Sequence, residues 1–222
     1  MKKHYCVKAC SEPALIDAVW DKPFWQEIDS VEIGLSHWPT QFEYEPATEA
    51  KLQYDAENLY VIFRVQDRYV QAVTAQPNGE VWKDSCVEFF FAPYGKAGTS
   101  YFNLEVNCCG VPLMQHHSGP RTGTGFVDLE RCRSIEIAAS LQGPIETELT
   151  EPIVWTLEYR LPFEILKQYP EVEKPAAGVS WRGNFYKCAD NSSHPHWMTW
   201  SPIQEERPDF HRPEYFGTLN FK

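Results

Sequence analysis

Glu88, Asn103, Glu105 and Asn107 are the residues of this chain whose types and spacing promise chemistry. Read as an extended run, the segment around them puts Tyr101, Asn103, Glu105 and Asn107 on one face and Phe102, Leu104 and Val106 on the other, because strand side chains alternate. The run before it divides in the same way, with Val87, Phe89 and Phe91 in one row and Cys86, Glu88 and Phe90 in the other. If the two runs pair, Glu88 joins Asn103, Glu105 and Asn107 in one patch of carboxylates and amides, with Trp82 at its edge. Such a patch suits a sugar. Hydroxyls donate and accept together, so carboxylates and amides bind them in pairs, and the C–H face of a pyranose lies flat on an indole. An ordinary solvated sheet face shows the same alternation, which by itself does not separate the two readings.

These residues need strands to hold them, and the rest of the chain supplies the signals of an all-β fold. Aromatic and β-branched runs separated by Pro, Gly, Asn and Asp clusters recur throughout, the pattern of a sandwich or barrel. Strands are expected at 31–36, 50–54, 59–67, 86–92, 101–108, 111–116, 134–141, 153–161, 181–189, 197–200 and 217–221. Asp55-Ala56-Glu57-Asn58 marks a hairpin turn. Along 153–161 the inward row is Ile153, Trp155, Leu157, Tyr159 and Leu161, and Thr156, Glu158 and Arg160 point outward. One helix is expected at 162–169, opened by Pro162 and stopped by Pro170, with short helical turns between Trp20 and Trp25. Residues 202–213 form a polar excursion before the last strand. No repeat, low-complexity tract or composition break marks a linker, so residues 1–222 are expected to form a single domain.

A net charge of −11 with no Lys/Arg block argues against nucleic acid and anionic membrane surfaces as partners. No run approaches the roughly 18 apolar residues of a membrane helix. Seven cysteines, with Cys108 and Cys109 adjacent, do not form a disulfide framework and are expected to be free thiols. Met1-Lys2-Lys3 resembles the start of a signal peptide, but His4, Lys8, Ser11 and Glu12 interrupt the apolar stretch that should follow, so no export signal is expected.

Four segments in order carry a family resemblance. Asn58-Leu59-Tyr60-Val61-Ile62-Phe63-Arg64-Val65-Gln66-Asp67 is followed by Trp82-Lys83-Asp84-Ser85-Cys86-Val87-Glu88-Phe89-Phe90. Then come Trp155-Thr156-Leu157-Glu158-Tyr159-Arg160-Leu161-Pro162 and, last, Trp181-Arg182-Gly183-Asn184-Phe185-Tyr186-Lys187 with Trp197-Met198-Thr199-Trp200-Ser201-Pro202. Together they resemble the family 9 carbohydrate-binding modules and their DOMON-like relatives, over residues 14 to 222. The resemblance implies an antiparallel β-sandwich of jelly-roll or immunoglobulin-like type that holds a mono- or oligosaccharide, often a chain end, between two tryptophans without cleaving it. Trp82 and Glu88 match the family's first aromatic wall and its nearby carboxylate. The second wall falls to Trp200, with Trp197 as its substitute. Asn103, Glu105, Asn107 and Asn184 join as hydroxyl partners from their facing.

Other chemistry finds less support. Glu88 and Glu105 on neighbouring strands are two carboxyls of the kind a glycosidase needs, but no further feature supports hydrolysis. An interaction domain that keeps the sandwich and uses its aromatic loops for a protein partner is the main alternative to sugar binding. His116-His117, His194-x-His196 and Cys188 are candidate metal ligands without the spacings that zinc sites use. No cofactor is expected; the resemblance implies that structural calcium can sit in acidic loops, for which Asp128-Leu129-Glu130 is a candidate without diagnostic spacing. Trp20, Trp25, Trp155 and Trp181 sit among apolar neighbours and belong to the core.

Overall fold

Period-two alternation of large apolar side chains dictates strands, and the computed structural model, which describes residues 2–95 and 99–222, contains fifteen of them among those residues. They are β1 His4–Ala9, β2 Val31–Glu32, β3 Ala47–Tyr54, β4 Asn58–Asp67, β5 Val70–Ala72, β6 Cys86–Ala92, β7 Tyr101–Asn107 and β8 Pro112–His117. The remainder are β9 Gly125–Phe126, β10 Glu136–Ala139, β11 Ile145–Leu149, β12 Ile153–Pro162, β13 Ser180–Cys188, β14 Trp197–Thr199 and β15 Gly217–Phe221. Met1, part of the signal-like start, lies outside the described residues.

The strands form a curled sandwich. One layer runs β15-β13-β6-β7-β8-β9 with β14 on β13, and the other runs β10-β12-β4-β3 with β2 on β3. Between them Val87, Phe89, Phe91, Phe102, Leu104, Trp155, Leu157, Tyr159, Trp181 and Phe185 make the main core. The pairing is antiparallel except at β1, which joins the layers. Its residues 4–7 lie parallel to β15, and Lys8 and Ala9 lie parallel to β3. This strand was missed in the sequence. Its short pattern has only Tyr5 and Val7 facing inward, between exposed His4, Cys6 and Lys8.

All the expected strands are present, most with ends moved by one to three residues. The 31–36 run shrinks to β2, although Leu35 still bridges Thr199. The expected helix at 162–169 is instead a 3-10 turn, Phe163–Gln168, that follows directly from β12 and buries Phe163, Ile165 and Leu166. A short helix, α1 (Pro23–Gln26), accounts for the turns beside Trp25, and α2 (Leu129–Cys132) was not foreseen. The hairpin at Asp55 forms because its Oδ1 accepts from the backbone N–H of Glu57 and Asn58, both at 2.7 Å.

Two segments cover the outer faces. Residues 14–28 lie over β4 and β12, where Ile16, Trp20, Trp25 and Ile28 pack on Tyr60 and Ile62. Glu158, expected to face solvent, is fully buried by this cap. Its carboxylate accepts from the N–H groups of Asp17 and Ala18 and from Trp25 Nε1, and it pairs with Lys22 at 2.7 Å. The second cover is the 202–213 excursion and the turn after it. Ile203, Phe210 and Phe216 pack on Phe90, Tyr101 and Tyr186, on the face of β6, β7 and β13 that carries the polar row.

Truncating Glu158 to alanine strands the Lys22 ammonium, an indole N–H and two backbone N–H groups together. A loss of about 3 kcal/mol in urea unfolding is expected, with proteolytic cutting between β1 and β2. Unaltered stability would show that the cap is held otherwise.

A second stability effect depends on pH. His196 is buried, bonded through Nε2 to the Lys187 ammonium at 2.8 Å and through Nδ1 to the His194 carbonyl at 2.9 Å. Burial, then Lys187, pushes it down from 6.5 to about 3. The unfolded chain therefore gains a proton as pH falls through 6.5, and the folded chain gains none until about 3, so stability is lost across that window. The loss reaches about 2 kcal/mol at pH 5. Urea midpoints for wild type and His196→Gln should shift in the variant's favour between about pH 7.5 and about pH 5; a constant gap would contradict this assignment.

Candidate functional site

The register confirms the pairing that brings the two carboxyls together. In β6 and β7, Glu88 faces Glu105, Phe90 faces Asn103 and Cys86 faces Asn107; β13 adds Tyr186 opposite Glu88 and Cys188 opposite Cys86. The row is buried, because the 202–216 segment covers its Phe90 end. What the cover leaves open is a cavity of about 330 Å³ lined by Trp82, Glu88, Phe90, Glu105, Gln115, Arg121, Cys188, Asp190, Trp197 and residues 208–211. A larger cavity, about 540 Å³, opens beside Phe163 and Tyr169. Its five charged residues, Glu57, Glu164, Lys167, Glu171 and Lys174, are exposed, so no buried charge converges there.

Four of the eight residues expected at the site line the smaller, 330 Å³ cavity: Trp82, Glu88, Glu105 and Trp197. Trp82 rides on a 3-10 turn, Val81–Lys83, whose inner side is anchored by Val81. Behind it Asp84 accepts from the N–H groups of Val73 and Thr74 and from Asn107 Nδ2 at 2.9 Å. Trp197 opens β14, and its indole N–H donates to Asp190 Oδ1 at 2.7 Å. The N–H of Asp190 in turn donates to the Trp82 carbonyl, which ties the two tryptophan-bearing segments together.

The other four lie elsewhere. Trp200 sits in the main core, edge-on to Phe185 and so close to Gly217 that a Cβ there would fall 2.5 Å from the indole. Asn184 is fully buried and latches the cover: its Oδ1 accepts from the Ser201 N–H and its Nδ2 donates to the Ser201 carbonyl. Asn107 spends its side chain on Thr74, Asp84 and the N–H groups of Cys109 and Val111. Asn103 lies beneath the floor, donating to Glu105 Oε1 at 2.8 Å and to Gln115 Oε1 at 3.2 Å. Because its amide N–H groups point to those oxygens, its Oδ1 accepts, and His117 Nε2 at 2.9 Å carries the proton. His117 Nδ1 then accepts from Thr124. Burial pushes His117 down to about 3, so the imidazole is neutral.

Glu88 and Glu105 are 2% and 4% exposed, and each keeps one oxygen, Oε2, with no partner among the described residues. The remaining oxygen of Glu88 accepts from the Cys188 thiol at 3.1 Å. Burial pushes Glu105 up to about 7, and burial, together with Cys188 and Glu105 nearby, pushes Glu88 well above the usual carboxylate range. A carboxyl in its acid form both donates and accepts, as a hydroxyl does.

At the rim Arg121 forks onto Asp209, with Nη2 at 2.7 Å, and Asp209 also takes Arg212 Nε at 2.8 Å. These ion pairs hold the Asp209 carboxyl below its ordinary value against burial. Gln115, Arg121, Asp190, Asp209 and His211 were not singled out from sequence. Gln115 was within reach, since extending the alternation to β8 puts it in the row beside Asn103. Arg121 and Asp209 meet across loops and leave no local signal. The candidate metal-binding histidines disperse: His116 bonds Tyr94, His117 bonds Asn103, His194 stacks on Tyr69 and His196 bonds Lys187, while Cys188 lies at the cavity beside Glu88. In the acidic loop Asp128 caps α2 and Glu130 pairs with Arg133.

The profile described as Carbohydrate-binding family 9 matches residues 13–221. A crystal structure of a candidate carbohydrate-binding protein from Bacteroides uniformis is similar at 30% identity and TM-score 0.89, covering all of both chains. A family 9 carbohydrate-binding module from Caldicellulosiruptor kristjanssonii, solved with glucose, is similar in fold at 16% identity and TM-score 0.62, covering 99% of this chain and 96% of that one. The same kind of module from that organism with cellotriose gives 17% identity and TM-score 0.62, covering 99% and 94%. No curated protein matches the chain. With a match that spans nearly its whole length, the chain belongs to carbohydrate-binding family 9.

Proposed function

We propose that the cavity binds a short saccharide, without cleaving it, with Trp82 and Trp197 as its aromatic walls and Glu88 and Glu105 on its floor. The observation that carries this reading is the pair of buried carboxyl oxygens, Glu88 Oε2 and Glu105 Oε2, that belong to residues lining the cavity and have no partner among the described residues. A buried polar atom left unpaired costs about 1–3 kcal/mol, and ligand hydroxyls recover it. Gln115 and the Arg121–Asp209 pair add donors and acceptors at the rim. Trp197 takes the place expected of Trp200, which is buried in the core. Asn103 orients Glu105, Asn107 fixes the loop that carries Trp82, and Asn184 latches the cover; each acts through another group. Support also comes from the family and from the neighbours solved with glucose and cellotriose. A volume near 330 Å³ stands at the lower end of small-molecule sites, roughly 300–1,000 Å³, and suits a short ligand. Both carboxyls stand side by side on one floor, and membership in a family of binding modules supports binding without hydrolysis.

Calorimetric titration with glucose and cellotriose tests the reading, beside a wider glycan array. Trp82→Ala should weaken binding about tenfold or more, ~1.4 kcal/mol, and move the melting temperature by less than about 3 °C. Trp200→Ala should instead cost about 4 kcal/mol of stability. Silence of the wild type across the array, or unchanged affinity in Trp82→Ala, would overturn the proposal.

A further inference from the structure

At the inner end of the cavity Cys86 and Cys188 bring donor atoms that the sugar reading does not use, beside Glu88, which it shares. Cys86 and Cys188 stand directly opposite each other on β6 and β13, and Glu88 follows two residues after Cys86 on the same face. One ligand atom from each, two Sγ and a carboxylate oxygen, lie within 4.8 Å of one another, and all three residues are buried. We propose that Cys86, Cys188 and Glu88 form a binding site for a thiophilic divalent cation, zinc.

The donor set is the first argument. Zinc takes thiolate sulfur at about 2.3 Å and carboxylate oxygen at about 2.0–2.2 Å, in tetrahedral order. Ligand atoms of such a site are then roughly 3.5 Å apart, so these three need only a small contraction to close on an ion. Glu88 is the second argument. Among the described residues its Oε2 is buried without a partner, and its Oε1 has the Cys188 thiol as its one donor. A disulfide between the opposed cysteines would remove that thiol and leave both oxygens unpaired, whereas an ion held by all three satisfies the carboxylate. The third argument is access. Glu88 and Cys188 also line the cavity, so the fourth coordination position is reached from it, and Glu105 stands across from Glu88 with its own free oxygen. Three protein ligands and one open position are the arrangement of a zinc site that keeps a place for water or an incoming ligand.

The test uses the reduced full chain with exposed Cys6 and half-buried Cys10 and Cys109 replaced by serine, which removes the accessible thiols that would compete. Titration with cobalt(II), a spectroscopic stand-in for zinc, should reach one equivalent, with thiolate-to-cobalt charge-transfer absorption and the visible bands of a tetrahedral ion, and zinc should erase both. Cys86→Ser and Cys188→Ser should each abolish the charge-transfer band or reduce it by half. Glu88→Gln, which keeps both thiols and the side-chain volume, should weaken binding at least about tenfold and covers the case in which a buried serine impairs folding. Trp82→Ala should leave the spectrum unchanged, so the metal site and the sugar reading fail or stand separately. A folded parent that shows no charge-transfer band, or a band that survives Cys86→Ser with Cys188→Ser, would overturn the proposal.

Discussion

A polar group taken out of water must find a partner, and every residue of β6, of β7 and of β13 from Gly183 to Cys188 is buried. One face packs into the sandwich and the other lies under the cover, so every amide and carboxyl of the polar row has to be answered from within the protein. Asn103, Asn107 and Asn184 are answered by side chains, loop backbone and the Ser201 peptide. Among the described residues Glu88 and Glu105 are answered by half, one oxygen each. The site is the place where that internal accounting stops short, and its geometry follows from what surrounds it.

Both outer faces of the sandwich are capped, and each cap is pinned by polar atoms under apolar cover. Glu158 fastens residues 14–28 by accepting from two backbone N–H groups, an indole and Lys22. Asn184 and the Arg121–Asp209–Arg212 group fasten the other. Apolar packing supplies most of the adhesion in each case, and the polar anchors set where the segment lies. The second cap ends short of Trp82 and Trp197, and the gap between cap and indoles is the cavity. Because its carboxyls are raised by burial, the floor holds protons more tightly than an exposed acidic surface would.

The main strands were legible because period two survives wherever one face is a dry core. β4, β6, β7, β12 and β13 all carry that signature, and the Glu88–Glu105 pairing followed from it. Depth was not legible. Alternation tells which residues share a face, not whether a distant segment lies over it, and so Asn107 and Asn184 read as surface amides although both are fully buried. Trp197 and Trp200 are separated by an odd step in the sequence and fall on opposite sides, one in the cavity and one in the core; the choice between them depended on Gly217, far along the chain. β1, β5, β9 and β11 were missed because these short edge or bridging strands bury at most two side chains each, too few to make a pattern.

β1 lies between β3 and β15 and pairs parallel with both. Its partner β15 is contributed by nearly the opposite end of the sequence, so the seam between the two layers is the contact of highest sequence separation in the fold. Closing such a loop costs entropy before any packing returns it. During synthesis, β3 and β4 are available to pair long before β15 leaves the ribosome, and β1 must wait with one edge unsatisfied. The seam between the layers is therefore the pairing with the largest loop-closure cost among those of the described strands.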